Sequence, residues 1–289
     1  MVCGPTASGK SRLSDALAFC MEEEFGSATT VAVDSMQVYR EIPIITNQAR
    51  ERPAELVGVV SVSEEWTVAR HRAAARSIIE GAEGPVVLDA GTGMYLNAVL
   101  LDVPLAPRVS PETRSLAEET VRGMEAPPPN TRRAVREEEL RTSGAPPRGS
   151  IWEGEPVLDV VMVYLRPARD VLRDAIEKRS AAIAGSGLEE AKMIGEMERS
   201  GKPPNPSVST SIGVRELRQH LEGEITRQEA GQCVATRTRQ LARRQIRWFD
   251  KLARTLKGRT TVVVAESPDA PALWNTMHDT IGAWTVGQS

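Results

Sequence analysis

The sequence predicts a three-layer α/β domain with a parallel sheet and a small helical insertion. Three observations favour this fold. A glycine-rich phosphate-binding pattern at residues 4–11 leads directly into a helical stretch. Short apolar runs at residues 31–33 and 85–88 end in polar residues, as buried parallel strands do. The two runs follow helical stretches, and this alternation is typical of a sheet covered by helices.

Residues 4–11 fit the pattern G-x-x-x-x-G-K-[ST] at every fixed position. In such a P-loop the glycines let successive N–H groups point at one anion, Lys10 adds a positive charge, and the Ser11 hydroxyl can ligate Mg2+. Leu13, Leu17 and Cys20 then recur at helical spacing, so the N-terminus of that helix faces the same anion. The pattern predicts a polyphosphate site made of Gly4, Thr6, Ala7, Ser8, Gly9, Lys10 and Ser11.

Polar residues follow both apolar runs, where ligands of such sheets bind. Asp34 can hold Mg2+ through water or accept a proton from a nucleophile, and the alternative is a cap for the next turn. Asp89 fits either a metal-holding acid or a solvent-facing strand terminus. Thr92 lies between Gly91 and Gly93, where a ligand can approach the backbone and the hydroxyl can donate or accept a hydrogen bond.

The amino-acid composition changes between residues 107 and 150, where the chain is rich in charged residues and proline. We expect a small helical insertion there, with helices near 114–124 and 132–140, and a catalytic core made of residues 1–106 and 151–289. In the second part of the core, strands are predicted at 157–165 and 260–265 and helices at 168–183 and 229–256.

Composition excludes several classes of protein. No apolar run reaches the length of about 18 residues that a membrane span needs, and no signal peptide is evident, so we expect a cytoplasmic protein. The cysteines and histidines lack the spacing of a disulfide framework or a zinc site, and buried small apolar side chains are the expectation for the cysteines. They are Cys3, Cys20, Cys233, His71, His220 and His278.

The net charge of −3 hides a basic segment near the C-terminus. Residues 233–259 hold nine Lys or Arg against one acid, a difference of +8, beside an apolar stripe of Val234, Leu241, Trp248 and Leu252. Such a helix suits a nucleic-acid backbone, and a solvated surface is the alternative. Arg132, Arg133 and Arg136 form a second basic cluster, for which a polar helix surface beside residues 137–139 is the alternative.

Taken together, these features resemble the bacterial tRNA dimethylallyltransferases of the IPP transferase family, which have a P-loop NTPase-like fold and prenylate N6 of an adenosine beside the anticodon. The resemblance covers most of the chain in six blocks that follow the family's order. The blocks are residues 4–11, 33–40 (VDSMQVYR), 91–96 (GTGMYL), 130–136, 212–217 (IGVREL) and 236–249 (TRTRQLARRQIRWF). The sequence departs from the family pattern at Val214, where a tyrosine is usual, and in its shorter insertion.

The resemblance implies that a dimethylallyl group passes from dimethylallyl diphosphate to N6 of adenosine 37 of tRNA. Lys10 and Mg2+ on Ser11 would stabilise the diphosphate, Asp34 would accept the proton of the amine, and Thr92 would orient it. A monomer is expected. The residues implied to contact tRNA are Asp34, Ser35, Met36, Gln37, Thr92, Arg132, Arg133, Arg136, Arg215, Arg237, Arg243 and Arg244.

Three other functions share some of these features. An adenylate isopentenyltransferase would use the same loop and Asp34 on a free nucleotide, but it needs no arginine-rich helix. A small-molecule kinase would bind ATP at the loop and use Asp34 as a base. A non-catalytic RNA-binding module would not need the intact set of Lys10, Ser11, Asp34 and Thr92.

Overall fold

The computed structural model describes residues 1–126, 128–145, 149–271, 273–277 and 279. Within these ranges the strands are β1 (Val2–Cys3), β2 (Thr29–Val33), β3 (Val86–Ala90), β4 (Met162–Leu165) and β5 (Val262–Ala265). The helices are α1 (Lys10–Phe25), α2 (Pro43–Thr46), α3 (Val68–Gly81), α4 (Gly93–Leu100), α5 (Pro111–Arg122), α6 (Thr131–Thr142), α7 (Arg169–Ser186), α8 (Leu188–Arg199), α9 (Pro206–Ser209), α10 (Val214–Leu221) and α11 (Arg227–Leu256).

The strands form one parallel sheet in the order β2-β3-β1-β4-β5. The short strand β1 is central, because Val2 pairs with Asp89 of β3 on one side and with Val163 of β4 on the other. The carboxyl ends of β1, β3 and β2 therefore lie side by side. This P-loop NTPase-like arrangement confirms the predicted fold class, and it brings the phosphate loop next to the segments that follow β2 and β3.

Alternating side chains of the sheet enter two different layers, as the period of two requires. On one face, Val163 and Leu165 of β4 join Leu13 and Leu17 of α1 in a buried apolar cluster. On the other face, Tyr164 packs against Phe249 of α11, with ring centroids 6.0 Å apart. Helix α1 and the basic helix α11 thus cover opposite faces, and the sheet is the middle of three layers.

A second apolar cluster joins the C-terminal helices to the segment after β2. Val38 and Ile45 pack with Ile183 of α7, Ile194 of α8 and Leu217 of α10. These side chains are all nearly inaccessible to solvent. The burial of these side chains holds the segment that follows Asp34 against the helices, because each fully buried aliphatic side chain stabilises the folded state by about 1.5–3 kcal/mol.

The chain divides into two compact units, residues Met1–Val99 with Asp159–Ser289, and residues Leu100–Leu158. The second unit is wider than the range 107–150 predicted for the insertion. Its two ends are joined by backbone hydrogen bonds from Asp102 N–H to Glu155 O (2.8 Å) and from Val157 N–H to Leu100 O (2.9 Å). Because Val157 is paired in this way, the strand predicted at 157–165 begins only at Met162.

Two of the three cysteines are exposed, although the sequence predicted that all three are buried. Cys3 lies in the core of the sheet, but Cys20 and Cys233 are exposed. The apolar face of α1 runs through Leu13, Leu17 and Met21, so that Cys20 lies outside the stripe in which the spacing placed it. None of the helices in the described ranges has the length and apolar character that a bilayer crossing requires.

A buried ion triad connects α1 to the end of β3. Arg50 donates from Nη2 to Asp15 Oδ1 and from Nη1 to Asp89 Oδ2, both at 2.7 Å, and no more than 5% of any of the three side chains is exposed. Burial lowers the pKa of the Arg50 guanidinium, but the carboxylates of Asp89 and Asp15 outweigh this and raise that pKa above its ordinary value. Asp89 is therefore not a solvent-facing terminus, because its Oδ2 accepts from Arg50 and its Oδ1 is buried without a hydrogen-bond partner among the described residues. Its role as a metal-holding acid stays a prediction.

We expect Arg50→Met to lower the free energy of unfolding by about 3–5 kcal/mol, because it leaves two carboxylates buried without a counter-charge. The matched control is Arg52→Met, which removes a more exposed ion pair with Glu22 and should cost about 1 kcal/mol or less. Urea unfolding at pH 7 measures both. Equal losses in the two variants would show that the triad contributes no more than a surface pair.

Candidate functional site

The phosphate loop has the strained backbone expected of an anion cradle. Gly9, which caps α1, has φ 85° and Ala7 has φ 64°, so both lie in the left-handed region. Gly4 is required by a close approach, because a Cβ there would lie 2.6 Å from Leu165 O. The loop therefore passes tightly over the end of the central sheet and delivers its N–H groups to the N-terminus of α1.

Thr6 is held from two directions by residues far away in the sequence. Its N–H donates to Gln245 Oε1 at 2.9 Å, and its Oγ1 accepts from Arg179 Nη1 at 2.8 Å. Burial lowers the pKa of the Arg179 guanidinium below its ordinary value, and the nearby negative charge of Asp34 opposes this effect. Arg179 is thus a cation that contacts the phosphate loop and is close enough to Asp34 to be affected by its charge, and its side chain is suited to an anionic ligand.

Lys10, Ser11 and Ser8 are the remaining polar side chains of the loop. Lys10 and Ser11 are half-buried at the start of α1, and within the described residues neither side chain has a hydrogen-bond or ion-pair partner. The Ser8 hydroxyl is buried and also unpaired. Two hydroxyls and one ammonium are therefore available to a polyphosphate and its metal ion.

Asp34 combines a structural bond with a carboxylate oxygen that faces the loop. Its Oδ1 accepts from Met36 N–H at 2.8 Å and weakly from Gln37 N–H at 3.4 Å, so that it does cap the turn after β2. Its Oδ2 lies beside Gly91, where a Cβ would be 2.5 Å from this oxygen and 3.6 Å from Lys10 Nζ. The absence of a side chain at Gly91 keeps that approach open.

Thr92 connects the ends of β2 and β3. Its backbone N–H donates to Val33 O at 3.1 Å, and its Oγ1 accepts from Ser35 N–H at the same distance. The hydroxyl hydrogen points to Ser35 Oγ at 3.4 Å, a long contact that a better acceptor can replace. Thr92 and Asp34 are therefore brought together, as the sequence predicted. Ser35, Met36 and Gln37 follow in the same turn, with Gln37 Nε2 donating to Asn47 O at 3.0 Å.

Helix α11 contacts the same loops through two side chains on one turn. Gln245 Nε2 donates to Gly91 O at 2.8 Å, while its Oε1 holds Thr6. Trp248 Nε1 donates to Asn97 Oδ1 of α4 at 3.1 Å, and its indole covers Gly93. The basic helix is thus seated directly on the segment that carries Thr92.

A neutral aromatic cluster lies near Asp34. Tyr95 donates to Trp66 O at 3.3 Å and packs on His71, with ring centroids 5.0 Å apart. Burial lowers the pKa of the His71 imidazole to about 4, and burial together with the charges of Tyr39 and Asp34 raises the pKa of Tyr95. Both groups are neutral at pH 7, so that the positive charge near Asp34 comes from Lys10 and Arg179.

The structure separates the basic residues into engaged and available groups. Arg237 is paired with Glu216 and donates to Thr210 O, and Arg239 is paired with Glu177. Within the described residues Arg243, Arg244 and Arg247 are exposed on α11 without a carboxylate partner. Arg215 is exposed on α10. Fewer arginines of α11 are therefore available to a nucleic-acid backbone than the charge count of residues 233–259 suggested.

In the second unit the basic cluster is matched by acids. Arg133 pairs with Glu137 at 2.7 Å, and Arg136 pairs with Glu139 at 2.5 Å. The side chain of Arg132 lies outside the described residues. These pairs are those of a polar helix surface, which was the alternative for this cluster, and a role of the three arginines toward tRNA stays a prediction.

Two residues of the site have no signal in a local pattern. Arg179 lies inside a predicted helix. Its role follows from a contact with Thr6, which is 173 residues away in the sequence, and no local pattern indicates that contact. Gln245 lies inside an arginine-rich block whose pattern assigns it no role. The one available clue to either residue is that a polar side chain stands on a helix that must cover the sheet.

Comparison with known proteins identifies the relatives of this arrangement. A model of the family "IPP transferase" matches residues 37–252. A tRNA dimethylallyltransferase of Rubrobacter xylanophilus is 58% identical over 287 residues, which cover 98% of this chain and 97% of that protein. A tRNA dimethylallyltransferase of Chelativorans sp. is 34% identical over 286 residues, which cover 86% of this chain and 94% of that protein.

Solved structures agree with the sequence relatives. A full-length tRNA isopentenylpyrophosphate transferase from Bacillus halodurans has a TM-score of 0.67 at 25% identity and covers 98% of this chain and 94% of that one. A eukaryotic dimethylallyltransferase acting on tRNA has a TM-score of 0.70 at 24% identity, with 91% of this chain and 72% of that one covered, and is evidence for the fold alone.

We expect Gly93→Ala to lower the free energy of unfolding by about 1–3 kcal/mol, because the new methyl group would lie 2.2 Å from Trp248 Cδ1. Gly81→Ala is the matched control. It places a methyl group at the end of α3 where nothing lies within 4 Å, and it should be neutral or stabilising by up to about 1 kcal/mol. Thermal unfolding of both variants measures this difference. If Gly93→Ala left the stability unchanged, the indole of Trp248 would have room to move.

Proposed function

The chain belongs to the IPP transferase family, and on that premise we propose that it transfers a dimethylallyl group from dimethylallyl diphosphate to N6 of adenosine 37 of tRNA. It is a prenyl-transferring enzyme that acts on tRNA, as its relatives are. The observation that supports the site is the convergence of Asp34 Oδ2 and Lys10 Nζ at Gly91, next to Thr92. A base, a cation and a hydroxyl there face one phosphate loop.

The reaction assigns a balanced role to each of these groups. The N6 nitrogen forms a bond to C1 of the dimethylallyl group while the bond from C1 to the diphosphate oxygen breaks, and the electron pair of that bond leaves with the diphosphate. Asp34 takes the proton that N6 loses, and Thr92 Oγ1 accepts a hydrogen bond from the other N6 proton, which orients the amine and leaves its lone pair free to attack. Lys10 and Arg179 stabilise the negative charge of the leaving diphosphate.

The side chains at the phosphate loop suit a magnesium ion that is held mainly by oxygens of the bound diphosphate. No cluster of three or more His, Cys, Asp or Glu side chains that could hold a metal occurs in the described ranges. Ser11 offers an unpaired hydroxyl at the phosphate loop, so that Mg2+ would be held by Ser11 together with diphosphate oxygens. When bound, Mg2+ supplies positive charge to the leaving group.

The acceptor is favoured by the surface beside the site. Arg243, Arg244 and Arg247 are exposed on the helix whose Gln245 and Trp248 contact the catalytic loops. A free nucleotide needs no such surface, whereas a tRNA backbone would release counterions on binding it. N6 of a stacked adenosine can be reached only if the base is extruded, at a cost of a few kcal/mol that tRNA contacts offset. We place the reaction in the cytoplasm, where tRNA is found.

A single incubation separates the proposed acceptor from the alternatives. The protein is mixed with Mg2+ and labelled dimethylallyl diphosphate, and undermodified tRNA, AMP or ADP is offered. We expect label in tRNA alone, at adenosine 37 after nuclease digestion. Label found only in the mononucleotide would identify a free-nucleotide prenyltransferase, and ATP turnover without prenyl transfer would contradict both assignments.

Asp34→Asn should lower turnover by about 10²–10⁴-fold and change the Kd for tRNA less than about twofold. The amide keeps an oxygen for the turn at Met36 but cannot take the proton. The control is Asp170→Asn, at an exposed position in the first turn of α7. Single-turnover transfer and tRNA binding are measured in parallel, and an equal loss of both would make Asp34 a binding residue.

The triple charge reversal Arg243→Glu, Arg244→Glu, Arg247→Glu should show the opposite pattern. We expect tRNA affinity to fall by about 10- to 1,000-fold at low salt, and the salt dependence of binding to become shallower by up to about one for each phosphate that is no longer neutralised. Lys192→Glu, at an exposed site on α8, is the control. Unchanged affinity in the triple variant would leave α11 as a solvated surface.

A further inference from the structure

Gln245 makes a bond to each of two loops that must hold different reactants. Its Oε1 accepts from Thr6 N–H of the phosphate loop at 2.9 Å, and its Nε2 donates to Gly91 O of the β3–α4 loop at 2.8 Å. The partners are 239 and 154 residues away in the sequence. One half-buried amide thus connects the diphosphate side of the site to the acceptor side.

The chemistry of an amide suits this contact. A primary amide is uncharged and can accept one hydrogen bond at its oxygen while it donates another from its nitrogen in the same rigid plane. A carboxylate would accept from Thr6 but repel Gly91 O, and an apolar side chain would leave both backbone groups unpaired, at about 1–3 kcal/mol for each that is buried. The two lengths show that both bonds are well formed.

The neighbouring contacts restrict what the two loops can do without Gln245. Gly91 and Thr92 are already attached to β2 through Val33 O, at 3.2 and 3.1 Å. The phosphate loop is attached by Arg179 to α7. Each loop therefore has its own anchor, and Gln245 sets the separation between them.

We propose that Gln245 is a positioning residue of the transfer reaction, which fixes the distance between the diphosphate held by the phosphate loop and the amine held by Asp34 and Thr92. The inference rests on the proposed function. Because Thr6 N–H is occupied by Gln245, the diphosphate is left to the N–H groups that follow Thr6 in the loop. A misplacement of about 1 Å between reacting groups costs about 10²-fold in rate, so the effect belongs to turnover.

The test compares Gln245→Met with Gln240→Met, which changes an exposed glutamine of the same helix. We expect Gln245→Met to lower kcat by about 10- to 100-fold, with the Kd for tRNA unchanged and KM for dimethylallyl diphosphate raised severalfold. Gln240→Met should resemble the wild type. A kcat within twofold of the wild type, or a loss of tRNA affinity that accounts for the loss of kcat/KM, would overturn the proposal.

Gln245→Glu keeps the shape and supplies a second readout if Gln245→Met unfolds. An ionised carboxylate cannot donate to Gly91 O, but a protonated one can donate there and accept from Thr6. The kcat of this variant relative to the wild type should therefore rise as the pH falls from about 8 to about 5.5. A ratio that does not change with pH would contradict the bridging role.

The failure of the proposed function is distinguishable from the failure of this inference. If the wild-type protein transfers no prenyl group to tRNA, the function itself is wrong. If the wild type is active and both Gln245 variants match it at every pH, only the role of Gln245 is wrong.

Discussion

Charge compensation inside the protein is the constraint on which the position of the site depends. Arg50 is buried with Asp15 of α1 and Asp89 of β3, and none of the three charges can be left alone in a region of low dielectric. The segment around Arg50, the helix that begins at the phosphate loop and the strand that ends before Gly91 must therefore meet at one point. Asp15 lies on the first turns of the helix that the loop opens, so that the place of the loop beside β3 follows from the triad.

The parts of the site that could be predicted have local signals. The glycines and Lys10 of the phosphate loop follow a fixed spacing, and Asp34 and Thr92 each follow an apolar run. Parallel strands bring their carboxyl ends together, so adjacency is implied once the two runs are taken as neighbouring strands. Asp89 satisfies the same rule, yet it is buried and not solvent-facing, because it pairs with Arg50, which lies in an irregular segment with no pattern of its own.

Charge counting shows a similar limit for the nucleic-acid surface. The sequence has a nearly uninterrupted row of cations on α11, but Glu216 and Glu177, which lie on α10 and α7, pair with Arg237 and Arg239. Pairing of this kind depends on helix packing that has no counterpart in local sequence. It leaves Arg243, Arg244 and Arg247 exposed beside Gln245 and Arg254 exposed further along the helix, so that most of the available arginines lie next to the contact with the loops.

The neutral character of the contact between α11 and the loops follows from the chemistry next to it. In the proposed reaction a leaving diphosphate would gain charge as the allylic bond breaks, and its stabilisation would depend on how Lys10, Arg179 and the loop N–H groups are arranged around it. A charged residue in place of Gln245 would enter that field and either compete for the diphosphate or repel it. An amide satisfies one N–H and one C=O without adding charge. Helix α11 can therefore present arginines to solvent and still contact the phosphate loop, since Gln245, which makes that contact, is electrically neutral.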